Sequence, residues 1–393
     1  MIIREKTRQA VNVLKEFGVD AWITFTRETD INGDPTLVFL APGHLTWHSA
    51  FIIGADGRTR AIVGQFDRKR VEEIGAYDNV VGYVTGIKAS LLEYLKEIDP
   101  RRIAVNYSQG SEICDGLTHG MYLTLVEFLN EIGFADRLVS AEKVISALRE
   151  RKSAGEIAHI EAAVRATLEI YGKVAKFIKP GRTEKEIAAF LRTEAERRSL
   201  PLAWSEATCP GVFTGPATAQ AHYFPTDRIV EPGHILNMDF GVRVEGYCSD
   251  IQRTFYVLRP DEDEAPEDVQ KGFRTIVRAI EESRRAMRPG VQGFEIDAIS
   301  RAVIVGAGYD EFPHALGHQV GRFAHDGTAL LGPKWEKYAQ KPYQKLEAGM
   351  VFTLEPRLTV PEKGVVTIEE MVVVTENGAE FLGPPQTDLV LVR

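Results

Sequence analysis

The second half of the chain repeats itself, and this repeat constrains the fold more than any single motif. Pro180-Gly181 and Pro289-Gly290, 109 residues apart, each precede a Glu-Ile pair and a helical stretch. Further along, Glu231–Asp239 and Glu347–Glu355 each consist of a turn followed by an apolar strand that ends in a carboxylate. Two similar halves that each deliver an acid at a strand predict a pseudo-symmetric α+β domain with one shared site.

The first 140 residues have a different character, because short β-rich runs alternate with helical stretches, which is typical of a small α/β domain. The expected strands are Ala21–Thr26, Ala50–Gly64, Asn79–Thr85 and Arg101–Tyr107. The second of these runs contains Asp56-Gly57, a pair that favours the tight turn of a hairpin. A charged helical segment, Ala141–Glu156, follows. We place the boundary near Arg151–Ser153, which gives an N-terminal α/β domain of residues 1–150 and a second domain of residues 151–393.

Charge and composition exclude several classes of function. The net charge of −9 argues against a nucleic-acid partner, because such binding depends on neutralising phosphates with Lys and Arg. No run approaches the roughly 18 apolar residues of a membrane span, and the charged start Met1–Arg8 does not resemble a secretory signal. We therefore expect a cytoplasmic protein without a membrane partner. The three cysteines, Cys114, Cys209 and Cys248, are odd in number and widely separated, so we expect buried thiols.

The segment around Asp239 and Asp250 predicts a hairpin with paired acids. A strand, a turn signal at Glu245-Gly246 and a second strand follow one another. With a two-residue turn the two aspartates face each other, and a slip of two residues still keeps them on one face. Like charges so close need a cation or a shared proton. The alternative for this pair alone is two solvated acids on an edge hairpin.

Three further residues favour the metal. His318 lies between glycines in a strand or loop, Glu355 ends the apolar strand Met350–Leu354, and Glu369 lies in an apolar run predicted as a strand continuing to Thr375. A glutamate within such runs is rarely buried without a partner. Four carboxylates and one imidazole within one repeated domain are difficult to attribute to independent coincidences.

These residues carry a family resemblance. The order Asp239, Asp250, His318, Glu355, Glu369 lies within the motifs Asp-Phe-Gly, Ser-Asp-Ile-Gln-Arg-Thr, Gly-His-Gln-Val-Gly, Leu-Glu-Pro and Ile-Glu-Glu. It resembles the prolidase, aminopeptidase P and methionine aminopeptidase group of metallopeptidases. The resemblance covers essentially the whole chain: the second half looks like the pita-bread catalytic domain, and the first half like the smaller N-terminal domain of prolidases and aminopeptidase P, which methionine aminopeptidases lack.

The resemblance implies a site for two divalent metal ions. Asp250 and Glu369 would bridge the ions, Asp239 would complete one, and His318 and Glu355 would complete the other. Glu370 can take the place of Glu369 if the register is off by one. The ligand set suits Mn²⁺ first, with Co²⁺, Fe²⁺ or Zn²⁺ as alternatives.

The same resemblance implies roles in catalysis. Glu355 would also shuttle the proton from the bridging water, and His222 and His325 would hydrogen-bond the substrate and the developing oxyanion. His314 either takes part in the same way or braces the His318 loop. Taken singly, each of these histidines is more often an ordinary surface or core residue.

The implied activity is hydrolysis of the bond before proline at the N-terminus of a dipeptide or short peptide, by a homodimer. Alternatives of the same fold are ectoine-hydrolase-like or creatinase-like amide and amidine hydrolases, or a binding module without activity. Creatinase-like enzymes have lost metal ligands and binding modules have degraded sites, whereas all five ligand positions are present here.

Two positions depart from the common family pattern. Gln319 follows the ligand histidine where glycine is usual, and Arg357 follows Glu355-Pro356 where glycine is common. We hypothesise that Arg357 or Arg322 pairs a substrate carboxylate, because a guanidinium binds a carboxylate bidentately. The alternative is an arginine that only offsets the acidic site.

Overall fold

The structure is a computed structural model that describes residues 2–41, 43–217 and 224–393. The chain divides into two compact units, Met1–Arg149 and Glu150–Arg393. The helices up to the division are α1 Ile2–Phe17, α2 Thr29–Asn32, α3 Arg68–Ile74, α4 Lys88–Ile98, α5 His119–Asn130 and α6 Glu142–Glu150. The strands of the first unit are β1 Ala21–Thr26, β2 Ser49–Gly54, β3 Thr59–Gly64, β4 Asn79–Tyr83, β5 Ile103–Val105 and β6 Leu138–Ser140.

The first unit is built on a six-stranded mixed sheet in the order β4-β3-β2-β1-β5-β6. The neighbours β1, β2 and β3 pair antiparallel, whereas β4, β5 and β6 each join a parallel partner. Every residue of β1 is buried. Because side chains alternate along a strand, Trp22 packs in the apolar cluster on one face and Ile23 in the cluster on the other.

A closed polar network lies inside this first unit. Asp34 is 3% exposed, and its carboxylate accepts hydrogen bonds from the Thr36 backbone N–H at 2.8 Å, from Thr36 Oγ1 at 2.6 Å and from Asn106 Nδ2 at 2.8 Å. The indole of Trp22 donates to Asn106 Oδ1 at 2.6 Å. Burial raises the pKa of Asp34, and these hydrogen bonds with the nearby Arg149 pull it back towards its ordinary value. The chain thus supplies its own partners for this buried acid.

The second unit holds the remaining elements. Its helices are α7 Ala154–Phe177, α8 Glu184–Glu196, α9 Glu267–Ala286 and α10 Gly293–Gly306. Its strands are β7 Gly211–Thr214, β8 Ile235–Phe240, β9 Arg243–Val244, β10 Tyr247–Cys248, β11 Ile251–Val257, β12 Gly317–His318, β13 Leu330–Leu331, β14 Val351–Leu354, β15 Arg357–Val360, β16 Gly364–Thr367, β17 Glu370–Thr375, β18 Gly378–Phe381 and β19 Val390–Val392. The larger sheets have the orders β19-β11-β8-β7 and β14-β17-β18.

The repeat seen in the sequence is present in this second unit. Each half has two helices and then an antiparallel strand pair, β8 with β11 and β14 with β17, and a small hairpin interrupts each pair. Equivalent capping contacts start α8 and α10: Glu186 accepts the Thr183 backbone N–H, and Glu295 accepts the Gln292 backbone N–H, both at 2.8 Å. The two halves therefore bring their acids to equivalent places.

Two expected elements are broken in the structure. The helical segment 141–156 ends with α6, and Ser153 caps a new helix by accepting a hydrogen bond from the Glu156 backbone N–H at 3.3 Å. The run that was predicted to continue as one strand through Glu369 to Thr375 is interrupted, because the chain changes partner there. β16 pairs with β15, whereas β17 pairs with β14 and β18.

The cysteines match the expectation of buried thiols, since all three are free and buried. Burial raises the pKa of Cys209 and of Cys248 to about 12, so neither is a ready nucleophile. Among the described residues, we find no helix with both the length and the apolar character needed to cross a bilayer.

Candidate metal centre

The hairpin that carries the two aspartates has the register expected from side-chain alternation. The turn at Glu245-Gly246 takes positive φ angles of 50° and 79°, and β8 pairs antiparallel with β11 so that Asp239 lies opposite Gln252. The turn has the expected two residues, since Val244 pairs with Tyr247, but its register puts Gln252 and not Asp250 opposite Asp239, so the expectation that the two aspartates face each other directly is wrong. Because side chains alternate with period two, Asp239 and Asp250 are on the same face.

The second half delivers its acids at strand ends. Glu355 follows β14, and its backbone N–H donates to Leu316 O at 2.8 Å. The His318 backbone N–H donates to Thr353 Oγ1 at 3.1 Å, which fixes β12 beside β14. Glu369 lies at the break between β16 and β17, and its backbone N–H donates to Gln252 O at 3.2 Å. That bond ties the two halves together at the site.

The side chains of the five predicted ligands come together. His318 Nε2 lies 3.4 Å from Glu355 Oε1 and 3.8 Å from Asp250 Oδ2. Ligand atoms of Asp250, His318 and Glu369 all lie within 4.8 Å of one another, a spacing that suits a shared metal ion. The carboxyl group of Asp239 interacts electrostatically with that of Asp250, which places it beside the other acids.

The electrostatics of this cluster require a cation or protons. Burial raises the pKa of Asp239, Asp250, Glu355 and Glu369, and repulsion from neighbouring carboxylates raises the last three further. Within the described ranges, Asp239 Oδ1 and Glu369 Oε2 are buried without a hydrogen-bond partner. Burying an uncompensated carboxylate costs on the order of several kcal/mol. Oxygen-rich donors with one imidazole and orphaned oxygens fit a divalent metal ion.

The structure distinguishes Glu369 from its neighbour Glu370. Glu370 is 3% exposed and forms a two-pronged ion pair with Arg253, with contacts of 3.0 and 3.1 Å. Glu370 also accepts the Gln386 backbone N–H at 2.7 Å. Its carboxylate is therefore satisfied inside the protein, whereas that of Glu369 faces the other acids. The register with Glu369 as the candidate ligand agrees with this arrangement.

The three candidate histidines differ in position. The ring of His325 is exposed and meets the ring of His318 edge-on, with centroids 4.1 Å apart. His314 is partly buried, and its Nδ1 lies 2.8 Å from Ala315 O. Burial lowers the pKa of His314 to about 4, so the ring is neutral near pH 7. His222 lies outside the described residues.

Sequence reasoning missed Gln252. It is 8% exposed, and its side-chain Nε2 lies 3.5 Å from Glu355 Oε2, while Thr367 Oγ1 donates to its Oε1 at 3.0 Å. A hydrogen bond from Gln252 also offsets a small part of the rise in the pKa of Glu369. The amide thus touches both acids of the second half. The available signal was alternation, because Gln252 is two residues from Asp250 and must share its face.

A buried ion pair on α10 braces the segment before His318. Asp297 and Arg301 are 1% and 7% exposed and contact each other at 2.6 Å. Arg301 donates to the carbonyl oxygens of Phe312 and His314, and Asp297 accepts the Leu316 backbone N–H at 3.0 Å. No sequence signal had drawn attention to this pair, although its i, i+4 spacing places both on one helix face.

The two candidate arginines have different surroundings. The guanidinium of Arg322 lies 4.2 Å from the Tyr247 ring centroid, and its Nη1 donates to Glu245 O at 3.4 Å. Arg357 is 8% exposed and starts β15. Its positive charge offsets a small part of the rise in the pKa of the Glu355 carboxyl group. Gln319, the other departure from the family pattern, is 1% exposed, and its side chain packs against Gly327.

Comparison with known proteins is consistent with this site. The sequence profile of metallopeptidase family M24 matches residues 158–376, a span that contains all five candidate ligands. The uncharacterized peptidase YqhT of Bacillus subtilis is 29% identical over 284 residues, covering 71% of this chain and 73% of YqhT. An Xaa-Pro dipeptidase of Pyrococcus furiosus is 29% identical over 276 residues, covering 70% of this chain and 75% of that protein.

Solved structures confirm the predicted fold class. The Xaa-Pro dipeptidase from Bacillus anthracis superposes with a TM-score of 0.72 at 22% identity, covering 99% of this chain and 100% of that chain. The α+β assignment, with a smaller N-terminal domain before a pita-bread catalytic domain, is therefore correct. At this identity the likeness establishes the fold and leaves substrate choice to the residues of the site.

Proposed function

The chain belongs to metallopeptidase family M24, and from this we propose that it hydrolyses the peptide bond between an N-terminal residue and proline in dipeptides or short peptides. The observation that carries the proposal is the convergence of Asp250, His318 and Glu369, with the carboxyl groups of Asp239 and Glu355 beside them. The name Xaa-Pro dipeptidase, given to a relative 29% identical over 70% of this chain, supports the choice of bond.

We assign the ligands of two divalent metal ions as the resemblance implies. Asp250 and Glu369 would contact both ions, Asp239 would complete one set, and His318 with Glu355 the other. When bound, such ions neutralise the carboxylates, lower the pKa of a water molecule and polarise a carbonyl group. The donors suit Mn²⁺, with Co²⁺, Fe²⁺ or Zn²⁺ as alternatives.

The remaining chemistry is proton transfer and orientation by side chains. Glu355, whose side chain is 18% exposed, lies 3.4 Å from His318, where its carboxylate can take a proton from the attacking water and pass it to the leaving nitrogen. His325 lies beside His318 with an exposed ring, where it can donate a hydrogen bond to the developing oxyanion. His222 is proposed for the same task.

His314 has a positioning role in this proposal. Its neutral ring borders the segment that leads to His318, and its carbonyl is held by Arg301.

The proposed homodimer and cytoplasmic location stay predictions. Gel filtration with light scattering measures the first, and cell fractionation measures the second.

The test is hydrolysis of Ala-Pro, Ala-Pro-Ala and Ala-Ala by metal-stripped protein, before and after addition of Mn²⁺, Co²⁺ or Zn²⁺. We expect alanine release from the proline peptides alone, only after metal is added, and none from the Asp250→Ala control. The ratio of the first two rates separates a dipeptidase from an aminopeptidase. If metal binds and no peptide is cleaved, the peptidase assignment fails in favour of another amide hydrolase of this fold.

A further inference from the structure

The side chain of Gln319 packs against the loop that carries His325. Gln319 follows the candidate ligand His318, and its backbone pairs with Phe352 in an isolated antiparallel bridge. Because side chains alternate along an extended segment, the Gln319 side chain points away from the face of His318. It is 1% exposed and packs against Gly327. A residue next to the metal centre thus directs its side chain to the loop and not to the acids.

The polar atoms of this side chain find no partner in the described part of the chain. Gln319 Oε1 and Nε2 are both buried without a hydrogen bond to residues 2–41, 43–217 or 224–393. A buried amide in this state lowers the stability of the fold. The contribution of Gln319 therefore comes from the volume of its side chain and not from its polarity.

Backbone hydrogen bonds fix the His325 loop, residues 321–327, to Gln319. The Asp326 backbone N–H donates to Gln319 O at 2.9 Å. The carboxylate of Asp326 in turn accepts the Arg322 backbone N–H at 2.6 Å, which closes the loop on itself. His325 directly precedes Asp326, so a shift of this closed turn also shifts the imidazole.

Gly327 lacks a side chain at a place where Gln319 leaves no room for one. A Cβ atom at Gly327 would lie 2.4 Å from Gln319 Cδ and Nε2 and 2.8 Å from Gln319 Cβ, and these are its three nearest atoms. Rotation of the Gln319 side chain does not move its Cβ atom. Gly327 is not among the glycines with positive φ, so its backbone does not itself require glycine. The two residues form a size-matched pair, in which one is large because the other is small.

The loop that rests on this pair brings an imidazole to the metal centre. The rings of His325 and His318 meet edge-on, with centroids 4.1 Å apart. We propose that the contact between Gln319 and Gly327 sets the position of His325, which makes Gln319 a positioning residue for the imidazole that binds the oxyanion. The proposal rests on the peptidase function proposed above and adds a residue that acts only through the loop. Because His325 acts on the developing oxyanion, a displaced loop should lower kcat more than it raises KM.

The main experiment measures kcat and KM for Ala-Pro with metal-loaded variants of the size-matched pair. Gln319→Gly and Gly327→Ala should each lower kcat about 10–100-fold, because a misplacement of about 1 Å can cost that much. Gln319→Met keeps the length of the side chain and loses the amide, so its kcat should stay close to that of wild type. The double variant, Gln319→Gly with Gly327→Ala, removes the clash and should recover most of the kcat lost in Gly327→Ala.

A second comparison shows whether the effect passes through His325. In the His325→Ala background, Gln319→Gly should lower kcat no further, because the imidazole that it positions is gone. The control for an added methyl group is Gly172→Ala, at an exposed position of α7 with open space around its Cβ position among the described residues. This control should leave kcat unchanged. Metal content should equal that of wild type in all variants, since none changes a candidate ligand.

Several outcomes overturn the proposal. A wild-type kcat in Gln319→Gly would do so, and so would losses in the double variant that multiply those of the two single variants. An equal loss in Gln319→Met and Gln319→Gly would assign the effect to the amide, and a further loss in the His325→Ala background would place it elsewhere. If Gly327→Ala fails to fold, the double variant should fold, and its failure to do so counts against the pair.

Hydrogen exchange separates this proposal from the peptidase function. Mass spectrometry measures the exchange of backbone amides in residues 320–328 of the metal-loaded proteins, a quantity that does not depend on turnover. Gln319→Gly should speed this exchange and Gln319→Met should not, whereas α7 should exchange as in wild type. If wild type cleaves no peptide, the proposed function has failed, and the exchange pattern alone decides whether Gln319 positions the loop. Equal exchange in wild type and Gln319→Gly would refute that role.

Discussion

Both units of this protein bury carboxylates, but they satisfy them differently. In the first unit, Asp34 accepts three hydrogen bonds from Thr36 and Asn106. In the second unit, the acid cluster of Asp239, Asp250, Glu355 and Glu369 leaves buried oxygens of Asp239 and Glu369 unpartnered among the described residues. The first arrangement is complete within the chain. The second is completed only by something added from outside.

The difference teaches how to separate structure from function among buried polar groups. A satisfied buried group strengthens the native state, whereas an unsatisfied one costs stability and persists where a ligand offsets the cost. Glu369 and Glu370 show the same contrast between adjacent residues, because Arg253 neutralises only the second. The following experiments test whether this contrast holds.

The largest effects should come from Glu369→Gln and Glu370→Gln, of which the first should weaken metal binding and the second should destabilise the fold. Glu370→Gln leaves Arg253 buried without its partner, so the free energy of unfolding should fall by about 3–5 kcal/mol while metal occupancy is retained. Glu369→Gln should lower metal affinity by more than about 100-fold, beyond the effect typical of a residue outside the ligand set. Urea unfolding and metal titration measure the two quantities. Swapped results would assign the ligand role to Glu370.

Breaking the closed network should cost somewhat less. Asp34→Asn places an amide donor against the donors of Thr36 and Asn106, so we expect a loss of about 1–3 kcal/mol in the free energy of unfolding. Metal occupancy of the folded protein should not change. The matched control is Asp30→Asn, because Asp30 is 74% exposed and its replacement should have little effect. A stable Asp34→Asn protein would show that the network is dispensable.

The pH dependence of the free energy of unfolding of the metal-free protein should reveal the acid cluster. Its acids have folded-state pKa values raised above the unfolded value near 4. The folded state therefore binds more protons in this window, and stability is lost as pH rises through the raised pKa values. We expect a net loss of about 1–2 kcal/mol between pH 5 and 8.

The control for this experiment is the metal-loaded protein. Asp34 also has a raised pKa and contributes equally to both forms. The difference between loaded and stripped protein therefore isolates the cluster and should widen with rising pH. Parallel melting-temperature curves for the two forms would mean that metal does not bind to these acids.

The smallest expected effect belongs to Gln252→Leu. This change removes the 3.5 Å contact with Glu355 and a hydrogen bond to Glu369. Loss of such bonds is worth about 0.5–1.5 kcal/mol, or roughly 2–10-fold in kcat/KM. The exposed Gln340→Leu serves as control. An unchanged kcat/KM would show that the amide fills space without orienting the acids.

The sequence was sufficient where local periodicity decides the geometry. The alternation of β8 and β11 placed Asp239 and Asp250 on one face in spite of the uncertain register, and β1 was predicted with its observed ends. The repeat predicted two equivalent halves, which the paired helices and interrupted strand pairs contain. These features depend on contacts close in sequence or on a simple period.

Features that depend on distant contacts were not predictable in the same way. The choice between Glu369 and Glu370 is made by Arg253, more than a hundred residues earlier in the chain. The break between β16 and β17 follows from a change of strand partner. Single-sequence patterns do not encode such pairings.

The two-halved architecture has a consequence for the lifetime of the folded protein. Asp239 and Asp250 come from the first half of the second unit, and Glu355 and Glu369 from the other, so the complete set of candidate ligands exists only when both halves have folded and met. A bound ion should therefore add little to the rate of folding and much to the barrier against unfolding, since contacts formed after the transition state mainly slow unfolding. Metal supply would then set how long each molecule survives proteases as well as whether it is active.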